Sequence, residues 1–213
     1  MTQQDADARF WDKIARKYAQ DPIADMAGYE RTLEAVRTHL SAEARVLELG
    51  CGTGTTALKL APHAGAILAT DVSGEMIAIA NEKAQEAGVG NVTFMTGTPE
   101  EAPFGEPPFD AVLAFNLLHL LKDQRAALEG VRRSLKPGGV FISKTPCLGE
   151  MNPLLRGLVP VMQMIGKAPH VRFQKAGALQ QEIEAAGFEI VESAYHGSKK
   201  SDPRPYVVAR PAS

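Results

Sequence analysis

Residues Arg45–Ala61 read RVLELGCGTGTTALKLA, and the order of structures inside this stretch decides the fold. Arg45–Gly50 is a short apolar run of the kind that forms a buried strand, and Thr55–Ala61 continues with helix-forming residues. Between them Gly50, Gly52 and Gly54 stand at alternate positions. A strand, a glycine turn and a helix in immediate succession open a βα unit. Open parallel sheets take their ligands at such turns, where backbone N–H groups approach with no Cβ in the way.

Working outward, short apolar runs alternate with helical segments, which implies an α/β fold with a mainly parallel sheet. Strands are expected at Arg45–Gly50, Ala66–Asp71, Asn91–Thr96, Ala111–Asn116, Val140–Thr145, Phe188–Tyr195 and Tyr206–Ala209. Gly74–Ala87 is a well-marked helix, with Ser73 as N-cap, Glu75 in the first turn and Gly88 just past the end. Lys122–Leu135 is amphipathic and stops at Lys-Pro-Gly-Gly, where Pro137 cannot continue the ladder. Ala176–Ala186 ends on Gly187. Two helices, Asp5–Ala19 and Gly28–Leu40, precede the first strand and are expected across the carboxyl edge of the sheet or on its side. Gly97–Asp110 carries Pro99, Pro103, Pro107 and Pro108 and reads as a loop. Cys147–Phe173, rich in Met and Leu and broken by Pro153, Pro160 and Pro169, reads as an irregular inserted cover. No linker divides residues 1–213, so a single domain is expected, with N-terminal helices within 5–40 and the cover at 147–173.

The chain has 213 residues, 45% hydrophobic and 23% charged, with a net charge of -2. These values suit a soluble globular domain and argue against a nucleic-acid protein with a large basic face. Cys51 and Cys147 have no metal-ligand spacing, so no structural zinc and no disulfide framework are expected. The acidic start lacks the features of a signal peptide and no run approaches a membrane span, so the reading is cytoplasmic, with no membrane insertion.

The glycine turn selects its ligand by what surrounds it. A triphosphate loop needs Lys followed by Ser or Thr after its last glycine, and here Thr55 and Thr56 follow Gly54. A dinucleotide fingerprint wants a small residue three positions after Gly52, where the chain has Thr55, although Asp71 at the end of the second strand meets its ribose requirement. Glu48 precedes the turn, and no Lys or Arg occurs between Arg45 and Lys59. An acidic turn without a cation repels pyrophosphate and suits a ligand with positive charge.

At this point a resemblance becomes explicit. Val46–Gly54 (VLELGCGTG) resembles the first motif of class I S-adenosylmethionine-dependent methyltransferases, and Asp71-Val-Ser-Gly-Glu-Met their second acidic motif. Thr93–Phe104 is similar to the third motif, Phe109–Leu121 to the fourth, and Leu135–Gly139 to the turn before the fifth strand. Five motifs run in register over about Trp11 to Val207, and within the family the chain resembles the ubiquinone/menaquinone-biosynthesis C-methyltransferase group. The resemblance implies a three-layer Rossmann-like sandwich, with a seven-stranded mostly parallel sheet and an antiparallel last strand. It implies S-adenosyl-L-methionine as cofactor, leaving as S-adenosyl-L-homocysteine, with no metal.

Carried over by position, Glu48, Gly50, Cys51 and Gly52 would face the methionyl part, Asp71 the ribose diol, and Val72 and Met76 the adenine. Asn116 and Leu117 match backbone contacts to the methionyl amine, and Tyr18 an aromatic that closes over the cofactor. The loop after the third strand commonly reads Gly-Asp-Ala in this family; here it is Gly97-Thr98-Pro99, so adenine recognition is expected to be weaker or led by backbone. His119, His170 and Tyr18 are the candidates for a base or substrate anchor, with His119 and Tyr18 the catalytic ones and a packed core histidine as the competing reading of His119. His170 is expected to be exposed, Cys147 to be a small hydrophobe, and Glu100-Glu101 a solvated pair or a capping contribution.

The expected activity is methyl transfer to a small, partly apolar metabolite, by a monomer or homodimer. A non-catalytic cofactor- or partner-binding module and an NAD(P)-dependent oxidoreductase stand as the alternatives.

Overall fold

The computed structural model describes residues 3–102, 108–199 and 202–212. Pro103, Phe104 and Pro107 of the proline-rich loop, and Lys200 before the last strand, lie outside the described residues. The elements in order are α1 (Gln3–Gln20), α2 (Met26–Arg37), β1 (Arg45–Leu49), α3 (Thr55–Leu60), β2 (Ala66–Asp71), α4 (Gly74–Ala87), β3 (Val92–Thr96), β4 (Phe109–Phe115), α5 (Gln124–Ser134), β5 (Leu135–Lys144), α6 (Leu155–Met164), α7 (Ala176–Ala185), β6 (Phe188–Tyr195) and β7 (Pro205–Pro211).

The seven strands form one sheet in the order β3-β2-β1-β4-β5-β7-β6. Pairings from β3 to β5 are parallel, and β7 runs antiparallel to both β5 and β6. The chain winds outward from β1 in both directions, so the crevice between β1 and β4, at their carboxyl ends, is the topological switch point.

Alternate residues of the near-continuous apolar strands feed two separate cores, as expected of a sheet covered on both faces. Val46, Ile67, Ala69, Leu113 and Ile142 pack with Leu33 of α2, Leu60 of α3 and Ala80 of α4. Leu47, Leu49, Val112, Phe141 and Val207 pack with Leu128 of α5 and with Leu179 and Ile183 of α7. Outside α4, Ala15 of α1 packs with Met76 and Ile79, and Trp11 and Ala19 pack against that cluster. Helix α1 therefore lies on α4 beside the switch point.

Helix α4 has the caps its sequence implies: the Ser73 side chain accepts from Met76 N–H, and Gly88 ends the helix with φ 64°. Strand β5 begins earlier than expected, at Leu135, because Leu135 pairs with Phe109 before the Lys136–Gly139 turn bulges out and pairing resumes at Ala111↔Val140. The cover segment is more regular than its prolines imply. It contains α6, with Pro160 inside and no buried residue. Among the described residues, no helix is long and apolar enough to cross a membrane.

Candidate functional site

The turn after β1 is shaped by glycines that only glycine conformations allow. Gly50 and Gly52 have φ 65° and 54°. A Cβ on Gly50 would meet Leu117 Cδ1 at 2.7 Å, whereas one on Gly52 would meet only Tyr18 Cε1, at 3.9 Å. The first glycine thus seats β4's exit against the turn, and the second leaves its backbone open to the space under α1.

Asp71 ties this turn to the next one. Its Oδ2 accepts from Gly52 N–H at 2.9 Å and its Oδ1 from Ser73 N–H at 3.0 Å. Burial nevertheless raises its pKa above the ordinary carboxylate value, against the lowering effect of those backbone bonds. Each oxygen keeps acceptor capacity for a ligand hydroxyl.

Glu48, at the end of β1, is 2% exposed. It accepts from the Ala57 backbone, yet its Oε2 has no hydrogen-bond partner among the described residues. Desolvation is the main cause that pushes its pKa up to about 8, and the charge of Asp71 adds to it. Tyr29, whose hydroxyl meets Thr56 Oγ1 at 3.0 Å, is pushed up to about 12 by burial first and also by the Glu48 charge. A buried acceptor without a donor is costly, and this one lines the cleft described below.

The remaining expected contacts come from strand ends. Asn116 follows β4 with φ 52°, the one non-glycine residue of positive φ among the described residues, and its N–H donates to Lys144 O at 2.8 Å. Such backbone is rare outside glycine, although asparagine tolerates it best, and it turns the chain sharply so that Leu117 meets Gly50. After β3, Gly97 N–H donates to Asp71 O at 3.0 Å and Thr98 N–H to Glu101 Oε2 at 2.8 Å. Pro99 has no N–H to offer a base at this turn. Glu101 is thus a cap of the 3-10 turn Pro99–Glu101, one of the two roles weighed for the Glu100-Glu101 pair.

These groups share one cleft of ≈ 770 Å³ at the carboxyl edge of the sheet. Tyr18 of α1, Glu48, Gly50, Cys51 and Gly52 of the first turn, and Asp71, Val72 and Met76 of the second line it. So do Gly97, Thr98 and Pro99 after β3, and Asn116 and Leu117 after β4. Tyr18 stacks edge-on against Trp11, with centroids 6.3 Å apart, and its hydroxyl pKa is raised by desolvation and by the Asp71 charge.

His119 sits elsewhere. It lies on a 3-10 turn, Leu118–Leu120, and is not among the cleft-lining residues, whereas Leu120 and Leu121 are. Its Nδ1 is buried without a partner, desolvation pushes the ring down to about 4, and its carbonyl accepts from Arg172 N–H at 2.7 Å. His170, expected to be exposed, lines the cleft from the cover segment and is partly buried. Cys147 is fully buried in a core cluster, where desolvation pushes its pKa up to about 12 and holds it as the neutral thiol. The lining also includes Trp11, Tyr29, Lys122 and Arg204, which the sequence reading does not single out.

Residues 46–139 match the family model of the methyltransferase domain. This stretch of the chain is similar to a methyltransferase domain. The matched residues include the glycine turn, both acids and the ends of β3 and β4. Among relatives, the chain is 37% identical over 131 residues to the uncharacterized methyltransferase YcgJ of Bacillus subtilis, a match covering 62% of this chain and 51% of YcgJ. It is 34% identical over 99 residues to the ubiquinone/menaquinone biosynthesis C-methyltransferase UbiE of Vibrio vulnificus, covering 45% of this chain and 38% of UbiE. The chain thus spans about half the length of the first relative and less of the second. The DhpI–SAH complex shares the fold with a TM-score of 0.75 at 23% identity, covering 98% of this chain and 97% of that one. The chain therefore shares its overall architecture with a structure solved with SAH bound.

Proposed function

We propose that this protein transfers the methyl group of S-adenosylmethionine to a small, partly apolar acceptor. The observation that carries the reading is the cradle at the β1/β4 switch point, where Glu48 Oε2 is buried without a donor beside Asp71. No Lys or Arg lies between Arg45 and Lys59 to serve a phosphate. Lys83 of α4 reaches Thr53 and Thr55 of the turn at 2.8 and 3.3 Å, while Glu48 and Asp71 give the cradle two acids that fit a ligand bearing an ammonium and a ribose diol.

In this reading Asp71 accepts from the ribose hydroxyls and Glu48 receives the ammonium. Val72 and Met76 flank the adenine, and Tyr18 covers the bound cofactor from α1. When bound, S-adenosylmethionine supplies an electrophilic methyl on a sulfonium whose sulfur leaves neutral. What this chain contributes is alignment and exclusion of water, through α1 and the cleft walls. His119, off the cleft wall, has no part in the reading. The apolar lining from Leu117, Leu120 and Leu121 supports a partly apolar acceptor, as does the relative named for ubiquinone/menaquinone biosynthesis.

Calorimetric titration of cofactor-stripped protein with S-adenosylhomocysteine, alongside NAD and NADP, tests the cofactor. Micromolar binding of the adenosyl compound alone is expected; tighter binding of NAD or NADP would overturn the reading. Binding of S-adenosylhomocysteine with no turnover across a broad acceptor panel would favour a binding module instead.

A further inference from the structure

The groups assigned to the cofactor stand at the ends of β3, β2, β1 and β4. Beyond β4 the sheet continues to β5 and β7, and Arg204, directly before β7, lines the same cleft. The pairing of the chain around it fixes its place: Thr145 N–H donates to Pro205 O and Cys147 N–H to Pro203 O, at 3.3 and 2.8 Å.

Arg204 is held by one edge only. Asp202 Oδ1 accepts from its Nε at 2.6 Å, and the Asp202 side chain is 4% exposed while that of Arg204 is 37% exposed. The two Nη groups have no hydrogen-bond partner among the described residues. A buried carboxylate thus holds the Nε edge of a guanidinium whose outer fork is uncommitted, and that fork matches the spacing of two oxygens on a carboxylate or phosphonate.

The surroundings are cationic. Lys144 feels the charges of Arg204 and Arg31, opposed by the carboxylates of Asp202 and Asp25. Asp25 is committed to Gly28 N–H, Ser198 N–H and the Ser198 hydroxyl, at 2.9, 2.7 and 2.6 Å. The cleft is therefore polarised, with Glu48 and Asp71 at the β1/β2 end and an uncommitted guanidinium at the β7 end.

We propose that Arg204, oriented by Asp202, grips an oxyanion of the methyl acceptor, so that the acceptor is a partly apolar acid carrying a carboxylate or phosphonate. Asp202 is a positioning residue: it fixes the Nε edge so that the outer fork faces the cleft. The inference rests on the cofactor reading above, and the experiment separates the two.

The probes are benzoate and phenylphosphonate, with benzyl alcohol as the uncharged control, titrated into protein saturated with S-adenosylhomocysteine. At least one acid is expected to bind the wild type, and benzyl alcohol about tenfold or more weakly than it. Arg204→Gln is expected to weaken the acid about ten- to hundredfold, as for a lost charge-assisted pair, while S-adenosylhomocysteine affinity stays within about twofold. Asp202→Asn should weaken the acid and not the cofactor product, with a circular dichroism spectrum like the wild type.

Three results overturn the proposal: no acid binding to the wild type, acid affinity unchanged in Arg204→Gln, or a fall in S-adenosylhomocysteine affinity in its place. The last would assign the guanidinium to the cofactor's own carboxylate. Failure of the wild type to bind S-adenosylhomocysteine at all would overturn the cofactor reading, and this inference with it.

Discussion

The carboxylate of Asp71 has two tasks, to hold the Gly52 and Ser73 N–H groups and to accept from a ligand diol. Asp71→Asn keeps one oxygen and loses the charge, so S-adenosylhomocysteine affinity is expected to fall about ten- to hundredfold by calorimetry. An unchanged affinity would remove the ribose from this position. Glu48 makes a separate expectation about pH. Its pKa in the folded, ligand-free chain is pushed up to about 8 from the ordinary 4.5, so folding favours its protonated form. Its contribution to stability is complete below pH 4.5 and is lost as pH rises through about 8. Glu48→Gln should flatten that loss, seen as a smaller fall in melting temperature between pH 5 and 8 than in the wild type. Binding of an ammonium selects the ionised form, so wild-type affinity should rise with pH over 6 to 8 and the variant's should not. Asp71, whose pKa is also raised by burial, is common to both proteins, so the difference between them isolates Glu48.

Helix α1 is seated on α4 through one small residue. Ala15 is fully buried, packed with Met76 and Ile79 of α4, and Met76 is also cleft lining. Ala15→Leu overpacks this contact at a cost of about 1–3 kcal/mol, and lifting α1 should carry Tyr18 away from the glycine turn. The expected result is a Kd for S-adenosylhomocysteine raised about three- to tenfold, with Ala15→Gly near wild type; equal affinities would mean that α1 takes no part in covering the cofactor. The ion pairs of Arg16 with Glu75 and Glu82 flank the same contact but are exposed, so they do little of this holding. The elements differ in how far the sequence shows them. The central strands are legible because parallel strands covered on both faces are apolar runs, as Leu47, Leu49, Val112 and Val46 illustrate on opposite faces. Helix α6 is not, because Pro160 reads as a break, whereas in a helix with no buried residue water can take the carbonyl that proline leaves without its donor. The glycine turn and both acids are legible as a local pattern. Arg204 is not, since only the antiparallel pairing of β7 with β5, two strands beyond β4, brings a residue of a polar run into the cleft.

At the scale of the molecule, the cleft joins the two halves of the core. Leu117 belongs to the cluster under α5 and α7, and Cys51 to the cluster under α2, α3 and α4, and both line the site. A ligand that contacts both must be released before either face of the sheet can open, so its binding free energy adds to the stability of the whole domain. At a concentration a hundred times its Kd, a ligand that binds only the folded chain contributes about 2.7 kcal/mol. For a domain of this length, each kcal/mol moves the melting temperature by about 2–4 °C, so S-adenosylhomocysteine should raise it by about 5–10 °C. The transition should remain single, because one ligand spans both cores. NAD at the same concentration should leave the curve in place, and Asp71→Asn should lose most of the shift. A two-step melt in which only the first step moves with ligand would show that the α5/α7 side unfolds independently of the site, and that the coupling through Leu117 is absent.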